Sequence, residues 1–341
     1  MSPHSEIDIA MMERAIENAD GARLVSSPNP WVGSVVVSHD GEIFDGATLP
    51  QGGEHAEVVS LTAAADKSVG STLYTTLEPC SHVGNTPPCI ESIVNAGVSR
   101  VVVGILDPDE RVNGQGISAL RSKGLDVEVG VKSEEVEAQL QPYLHHRITG
   151  RPYVVAKIAT TLDGRIAAPD GSSQWITGAE AREEAHKIRA HSDAICVGAG
   201  TVRKDDPKLT VRDWQPSTSD ELDLNPVRVA LGEISPDASM HPCLELQGDV
   251  EAILDELGSR GILQLLVEGG ADTISRFHAS RLIDRYEIFF APALFGVNDA
   301  LPMLSGEEIS TMSDLWRGEI IKVSRLGSDV QITLVPKFID K

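Results

Sequence analysis

Three side chains suited to a soft metal ion, His55, Cys80 and Cys89, stand far apart in the sequence, each where one local pattern gives way to another. His55 closes a glycine-rich loop (Gly52-Gly53) and precedes helical spacing over 57–65. Cys80 follows the β-branched run 72–77 through Pro79. Cys89 opens a second helical stretch, 88–96, with proline at its start and Gly97 at its end. For one imidazole and two thiols to meet, the flanking strands and helices must stack with these junctions along one edge. That demand is met by an α/β layered domain.

The rest of the chain supplies such layers twice. Residues 6–24 carry helical spacing (Ile9, Met12, Ile16, Ala19) and are stopped by Ser26-Ser27-Pro28-Asn29-Pro30. Strands are predicted at 32–38, 72–77, 101–105 and 127–131, with a short helix at 117–122. A charged helical connection over 133–150 ends in Thr149-Gly150-Arg151-Pro152, and the domain boundary is placed after 146. The alternation then restarts, with strands at 153–159, 194–197, 227–231, 263–267 and around 285–294, 319–325 and 330–336. Helices are predicted between them at 180–191, 250–258 and 273–279. The expected architecture is therefore two consecutive α/β domains, 1–146 and 147–341.

Net charge is −22, and both halves carry an excess of acids. Neither offers the basic footprint of a nucleic-acid binder, although a local pocket could still take a phosphorylated small molecule. No apolar run approaches the roughly 20 residues of a membrane span. The first twenty residues read as an acidic amphipathic helix without the basic and apolar regions of a signal peptide. A cytoplasmic protein is expected, with Cys80 and Cys89 binding metal rather than pairing as a disulfide. Cys196, inside a strand, reads as a small core residue.

One histidine and two thiolates leave a fourth position open on a tetrahedral zinc, the pattern of a catalytic site. Zinc lowers the pKa of a bound water to about 7, which makes hydroxide available to attack an amidine-like ring carbon. Glu57, two residues after His55, is placed to carry protons from that water to the ring and to the leaving amine. The order His-x-Glu, then Pro-Cys and Cys, is that of zinc nucleobase deaminases, with a longer spacing between the cysteines. His82, in the intervening loop, is an alternative ligand, and a closed structural site completed by Glu57 or His82 is the competing reading.

The stretches Pro28-Asn29-Pro30-Trp31-Val32-Gly33, His55-Ala56-Glu57 and Leu77-Glu78-Pro79-Cys80-Ser81-His82-x-Gly84-x-Thr86-Pro87-Pro88-Cys89 resemble the bifunctional riboflavin-biosynthesis deaminase/reductases. In that family the long cysteine spacing is the normal one. The resemblance continues through Lys157-x-Ala159-x-x-Leu162-Asp163-Gly164-Arg165, Gly171-x-Ser173-Gln174-Trp175-Ile176-Thr177, Gly200-Thr201-Val202, Asp205-Asp206-Pro207-x-Leu209-Thr210-x-Arg212 and Leu266-Val267-Glu268-Gly269-Gly270. It implies a cytidine-deaminase-like first domain and a dihydrofolate-reductase-like second. It implies deamination of 2,5-diamino-6-(5-phosphoribosylamino)pyrimidin-4-one, then NADPH-dependent reduction of the ribosyl group to ribityl, and a homodimer. Carried over residue by residue, Asn29 would meet the pyrimidine. NADPH would meet Ala159, Trp175, Thr201, Asp205 and the run Gly270, Ala271, Asp272, Thr273, Ile274, Ser275 and Arg276. The second substrate site would comprise Ser173, Arg189, Leu209, Arg212 and Glu268.

Physical readings stand beside these. The strand, glycine turn and helix at 267–273 offer free N–H groups to a pyrophosphate, yet could be an ordinary turn. Arg189 and Arg212 suit a ribose phosphate, while each could instead form a surface ion pair, Arg189 on its charged helix above all. Asn29 could simply hold a turn, Trp175 could belong to the core, and Asp205-Asp206-Pro207 could be a capped turn. Lys157 and Asp163 are the candidate proton donors, with a structural role as the alternative for each. Gly232-Glu233 stands where the family often has Asp-Ser, which bears on the cofactor's adenosine side. Arg203 or Lys204 is expected to face the 2′-phosphate there.

Overall fold

A computed structural model describes residues 4–81, 87–109, 112–216, 222–306 and 311–337. The chain divides into two compact units, Met1–Gly150 and Arg151–Lys341. The division falls beyond the boundary read from sequence, because the connecting helix continues to Thr149 and ends on Gly150 in the left-handed conformation (φ 74°).

The first unit runs α1 (Glu6–Ala22), β1 (Gly33–Val37), β2 (Ile43–Ala47), α2 (Ala56–Ala64), β3 (Thr72–Leu77), α3 (Cys89–Asn95), β4 (Arg100–Ile105), α4 (Gln115–Ser122), β5 (Asp126–Val129) and α5 (Ser133–Thr149). Its sheet has the order β2-β1-β3-β4-β5. β1 is antiparallel to both neighbours, and β3, β4 and β5 are parallel. Leu73, Ile93, Val101 and Leu120 are fully buried between sheet and helices, each contributing roughly 1.5–3 kcal/mol relative to exposure. Sequence reading missed β2, whose Ile43-Phe44-Asp45-Gly46-Ala47 breaks the apolar run at its centre. The glycine is what the packing needs. A Cβ on Gly46 would lie 2.3 Å from the Ala56 carbonyl oxygen and 2.6 Å from the Ser60 nitrogen. Its absence lets α2, and with it Glu57, rest directly on the sheet.

The second unit runs β6 (Tyr153–Thr161), β7 (Arg165–Ala167), α6 (Ala179–Ala190), β8 (Ala194–Gly198), α7 (Ala199–Asp205), β9 (Val227–Leu231), β10 (Leu244–Leu246), α8 (Val250–Ser259), β11 (Gln264–Glu268), α9 (Ala271–Ala279), β12 (Arg285–Ala291), β13 (Leu301–Pro302), β14 (Gly318–Leu326) and β15 (Asp329–Pro336). The main sheet has the order β10-β9-β8-β11-β6-β12-β15-β14, and β13 pairs with β7 apart from it. The strands from β10 to β12 are parallel, while β15 and β14 close the sheet antiparallel. Both faces are covered, as parallel sheets require. Along β8, Ala194 and Cys196 enter one core while Ile195 and Val197 enter the other. Cys196 is thus the core residue its strand position implied.

Candidate active sites

His55 immediately precedes α2 in an extended conformation, and its side chain makes no capping bond. The imidazole is free to meet the cysteines. Its Nδ1 lies 3.1 Å from Cys89 Sγ and 3.6 Å from Cys80 Sγ, and the two sulfurs are 3.4 Å apart. A tetrahedral zinc with bonds of roughly 2.0 Å to nitrogen and 2.3 Å to sulfur has edges of about 3.5–3.8 Å. The three atoms close on one such ion with small shifts, and they are the one group of this kind among the described residues. Cys80 is drawn well below the ordinary thiol range, first by its contact with Cys89 and then by His55 and the Cys89 amide, which donates to its sulfur at 3.4 Å. A thiolate at this position is what a zinc ligand must be.

Glu57 sits on the buried face of α2 with 3% exposure. Burial, and then the charge on Cys80, pushes its carboxyl up to about 7. His55, Glu57 and Cys80 open onto a cavity of about 290 Å³, which Asn29 also lines. His82 lies outside the described residues.

Sequence reading missed what builds this cavity. Glu78, 4% exposed, receives the backbone amides of Asp107, Gly114 and Ile117, so one carboxylate ties the end of β3 to the end of β4 and the start of α4. Gly116 lets α4 approach the cysteine loop, since a Cβ there would lie 2.2 Å from the Pro79 carbonyl oxygen. Asp107 and Tyr143 line the cavity, and the Tyr143 hydroxyl donates to the Asp107 carboxylate at 3.1 Å. Asp107 was findable from its place just past a parallel strand's carboxyl end, where ligands bind in open α/β sheets. Tyr143, inside a polar helix, carried no comparable signal.

In the second unit, two chambers of about 540 and 520 Å³ share a wall of Lys157, Gln174, Trp175, Thr201, Asp205, Glu268 and Gly269. Of the expected cofactor contacts, Ala159, Trp175, Thr201, Asp205 and the run Gly270 to Ile274 line the larger chamber. Two do not. Ser275 is buried and receives the Ser305 amide, while Arg276 opens onto a further cleft of about 560 Å³ with Arg203 and Glu233. The amino end of α9 has no side-chain cap at Gly270. It approaches β8 closely because Gly198 has no Cβ, which would lie 2.4 Å from Thr273 Oγ1. Trp175 is 68% exposed with the Arg182 guanidinium 4.8 Å over its ring, so it is not a core residue.

Of the expected substrate contacts, Arg189, Leu209, Arg212 and Glu268 line the smaller chamber, and Ser173 the larger. Arg189 forks onto Glu268, Nε to Oε1 at 2.7 Å and Nη2 to Oε2 at 2.8 Å. Arg189 is therefore ion-paired, but within the chamber wall and not on the surface as the alternative reading had it. Burial pushes the Glu268 carboxyl up, but Arg189 above all, with Lys157 and His186, overcomes this and holds it at about 2. Burial draws the Lys157 ammonium down. Asp163 lines neither chamber. It receives the Thr161 hydroxyl and the amides of Phe295 and Gly296, which makes it a loop anchor and removes it as a candidate proton donor.

Residues 5–105 match the cytidine and deoxycytidylate deaminase zinc-binding region, and residues 152–332 match the RibD C-terminal domain. The chain is 37% identical over 365 residues to the riboflavin biosynthesis protein RibD of Chlamydia muridarum, covering 97% of each, and 36% identical to that of Aquifex aeolicus, covering 96% of this chain and 98% of the other. Its fold superposes on RibD of Acinetobacter baumannii with a TM-score of 0.90 at 34% identity, covering 97% of this chain and 99% of that one. A Thermotoga maritima diaminohydroxyphosphoribosylaminopyrimidine deaminase/5-amino-6-(5-phosphoribosylamino)uracil reductase gives 0.86 at the same identity and coverage. The first unit is thus a cytidine-deaminase-like zinc domain and the second a RibD-type reductase domain. With a zinc-ligand triad in one half, a cofactor-sized cleft in the other and these matches across nearly its whole length, the chain belongs to the RibD family of riboflavin biosynthesis proteins.

Proposed function

We propose that the first unit hydrolytically deaminates 2,5-diamino-6-(5-phosphoribosylamino)pyrimidin-4-one and that the second reduces the ribosyl group of the product to ribityl. The observation that carries the reading is the convergence of His55, Cys80 and Cys89, with His55, Cys80 and the buried Glu57 opening onto one cavity. Zinc held by these three would supply the Lewis acidity that makes a hydroxide nucleophile available at neutral pH. Glu57 takes one proton from the attacking water and delivers it to the ring nitrogen, then takes the second from the hydroxyl now on the ring carbon and passes it to the departing amine. Its burial keeps bulk water from short-circuiting that relay. Asn29 is assigned to the pyrimidine edge.

In the second unit NADPH, when bound, would supply the hydride. The uncapped amides of α9 would hold its pyrophosphate, with Trp175, Thr201 and Asp205 on the wall of the same chamber. Lys157, on the wall shared by both chambers, is the remaining candidate to hold a proton where nicotinamide and sugar would meet. Arg212 is assigned to the phosphate. Arg189 holds Glu268 as a carboxylate able to accept from ribosyl hydroxyls.

A cytoplasmic homodimer completes the proposal. A reducing compartment keeps Cys80 and Cys89 available to zinc. No helix among the described residues is long and apolar enough to cross a membrane, and the net charge of −22 disfavours nucleic acid. The edge strand β14 exposes Ile320, Ile321 and Val323, a row that a second copy would cover, and sedimentation of the purified chain checks the stoichiometry. The function itself is tested by supplying the diaminopyrimidine ribotide with NADPH and following ammonia release together with NADPH absorbance. Ammonia with no subsequent NADPH loss would remove the reductase half of the proposal, and no ammonia would remove the first.

A further inference from the structure

The deaminase cavity is walled mainly by apolar, neutral and acidic groups: Glu57, Glu78, Asp107 and Asp109 all line it. Arg147 is the single Lys or Arg among its described lining residues. It lies on the last turn of α5, where the helix dipole favours a cation. Tyr143, four residues earlier, is on the same face. The Arg147 guanidinium rests over the Tyr143 ring at 4.9 Å, which fixes its plane. Nη2 makes one long contact, 3.5 Å, to the carbonyl oxygen of Pro28, next to the cavity-lining Asn29. Its Nε is buried without a partner.

Elsewhere in this acidic unit several described cations are paired with acids: Arg14 with Asp45, Arg100 with Asp8, Lys132 with Glu13 and Glu135. Arg147 has an acid nearby in Asp107, yet that carboxylate is already engaged by the Tyr143 hydroxyl and the Asp109 amide. The guanidinium is therefore oriented, held at a cavity wall and left with unused donors. A guanidinium so disposed matches a phosphate monoester, which accepts several charge-assisted hydrogen bonds at once.

We infer that Arg147 binds the 5′-phosphate of the ribotide in the deaminase cavity and so makes the first unit select phosphorylated over unphosphorylated pyrimidines. The inference rests on the substrate reading given under the proposed function. The first unit would then carry its own phosphate contact, separate from Arg212 in the second.

The test compares deamination of the diaminopyrimidine ribotide and of its dephosphorylated riboside by the full, zinc-loaded chain. Arg147→Gln is expected to lower kcat/KM for the ribotide roughly 30- to 100-fold, the loss typical of a hydrogen-bonded charge, with zinc content and riboside turnover unchanged. Arg147→Lys should recover most of the ribotide rate, and ribose 5-phosphate should inhibit the wild type more strongly than Arg147→Gln. Equal losses on both substrates, or no loss on either, would overturn the inference. Where the glutamine variant does not fold, Arg147→Lys is read alone, a several-fold loss confined to the ribotide being expected and an even loss overturning it. A wild type inactive on the ribotide is a different result, because it sinks the substrate reading itself.

Discussion

Glu57 and Glu268 are both buried, at 3% and 8% exposure, each beside a cavity at the heart of its unit. Yet burial and the Cys80 charge push the first up to about 7, while the second is held at about 2. Burial raises both, so it cannot explain the difference. The neighbours do. Glu57 faces thiol ligands, with His55 as its one opposing charge, whereas Glu268 is forked by Arg189 and lies near Lys157. A glutamate among thiols can exchange a proton near neutrality, and one gripped by a guanidinium stays an anion. One unit thus uses its carboxyl as a proton carrier, and the other uses its carboxylate as a fixed acceptor.

The sharpest break between the units comes from the metal. Cys89→Ser should remove zinc and abolish ammonia release while leaving NADPH-dependent reduction of the deaminated ribotide intact. Metal analysis with separate assays of the two half-reactions checks this, and loss of both activities would contradict a ligand set confined to the first unit. Glu57→Gln is the next largest. It should retain about one zinc per chain and lose roughly 10²–10⁴-fold in deamination, the range for removal of a general acid–base group. Wild-type-like turnover would remove Glu57 as the proton carrier.

Glu268 sharpens the other side. Its folded value of about 2 lies below the ordinary 4.5. A depressed carboxyl adds stability above its ordinary value and loses it as pH falls through the folded one. Its contribution, roughly 3 kcal/mol, should therefore fade between about pH 4.5 and about pH 2. Denaturant titrations across that window should show a steeper acid loss in the wild type than in Glu268→Gln. Arg189→Met should cost about 3–5 kcal/mol at neutral pH, because it strands a buried carboxylate. Parallel pH dependences for wild type and Glu268→Gln would mean that the pair is not the acid-sensitive element.

These contrasts also mark where sequence was informative. The fold class and nearly every long element were legible, because β-branched runs such as Val101-Val102-Val103 and helices bounded by Pro88 and Gly97 state their period and their ends. The short elements β7, β10 and β13, of three, three and two residues, are too brief to show an alternation, and seven-residue α7 is hidden behind Gly198-Ala199-Gly200. The zinc triad was legible because thiol and imidazole chemistry is rare and its spacing specific. The Arg189–Glu268 fork was not, since α6 and β11 meet only after folding and an arginine on a charged helix looks the same whether it faces solvent or a chamber. For Asp163 the structural alternative is the one realised, a motif residue whose carboxylate serves a loop.

The smallest effect concerns cofactor choice in the second unit. The cleft beyond the carboxyl end of β9 brings Arg203 and Arg276 together with Glu233, whereas Lys204 lines the larger chamber. Of the two cations expected near the 2′-phosphate, Arg203 is the one that lines this cleft, and we propose that the cleft takes the cofactor's adenosine end. Glu233 acts against it, since a carboxylate at a strand end favours a free ribose hydroxyl and repels a phosphate. On that assignment, two arginines against one glutamate predict a net but modest preference for NADPH. Arg203→Gln should lower kcat/KM with NADPH about tenfold, somewhat less than a fully buried charged bond would cost, and leave NADH nearly unchanged. Glu233→Ser should move the ratio several-fold the other way. If Arg203→Gln leaves the NADPH/NADH ratio where it was, the selectivity lies elsewhere in the cleft, and Arg276→Gln measured against both cofactors shows whether the second arginine carries it.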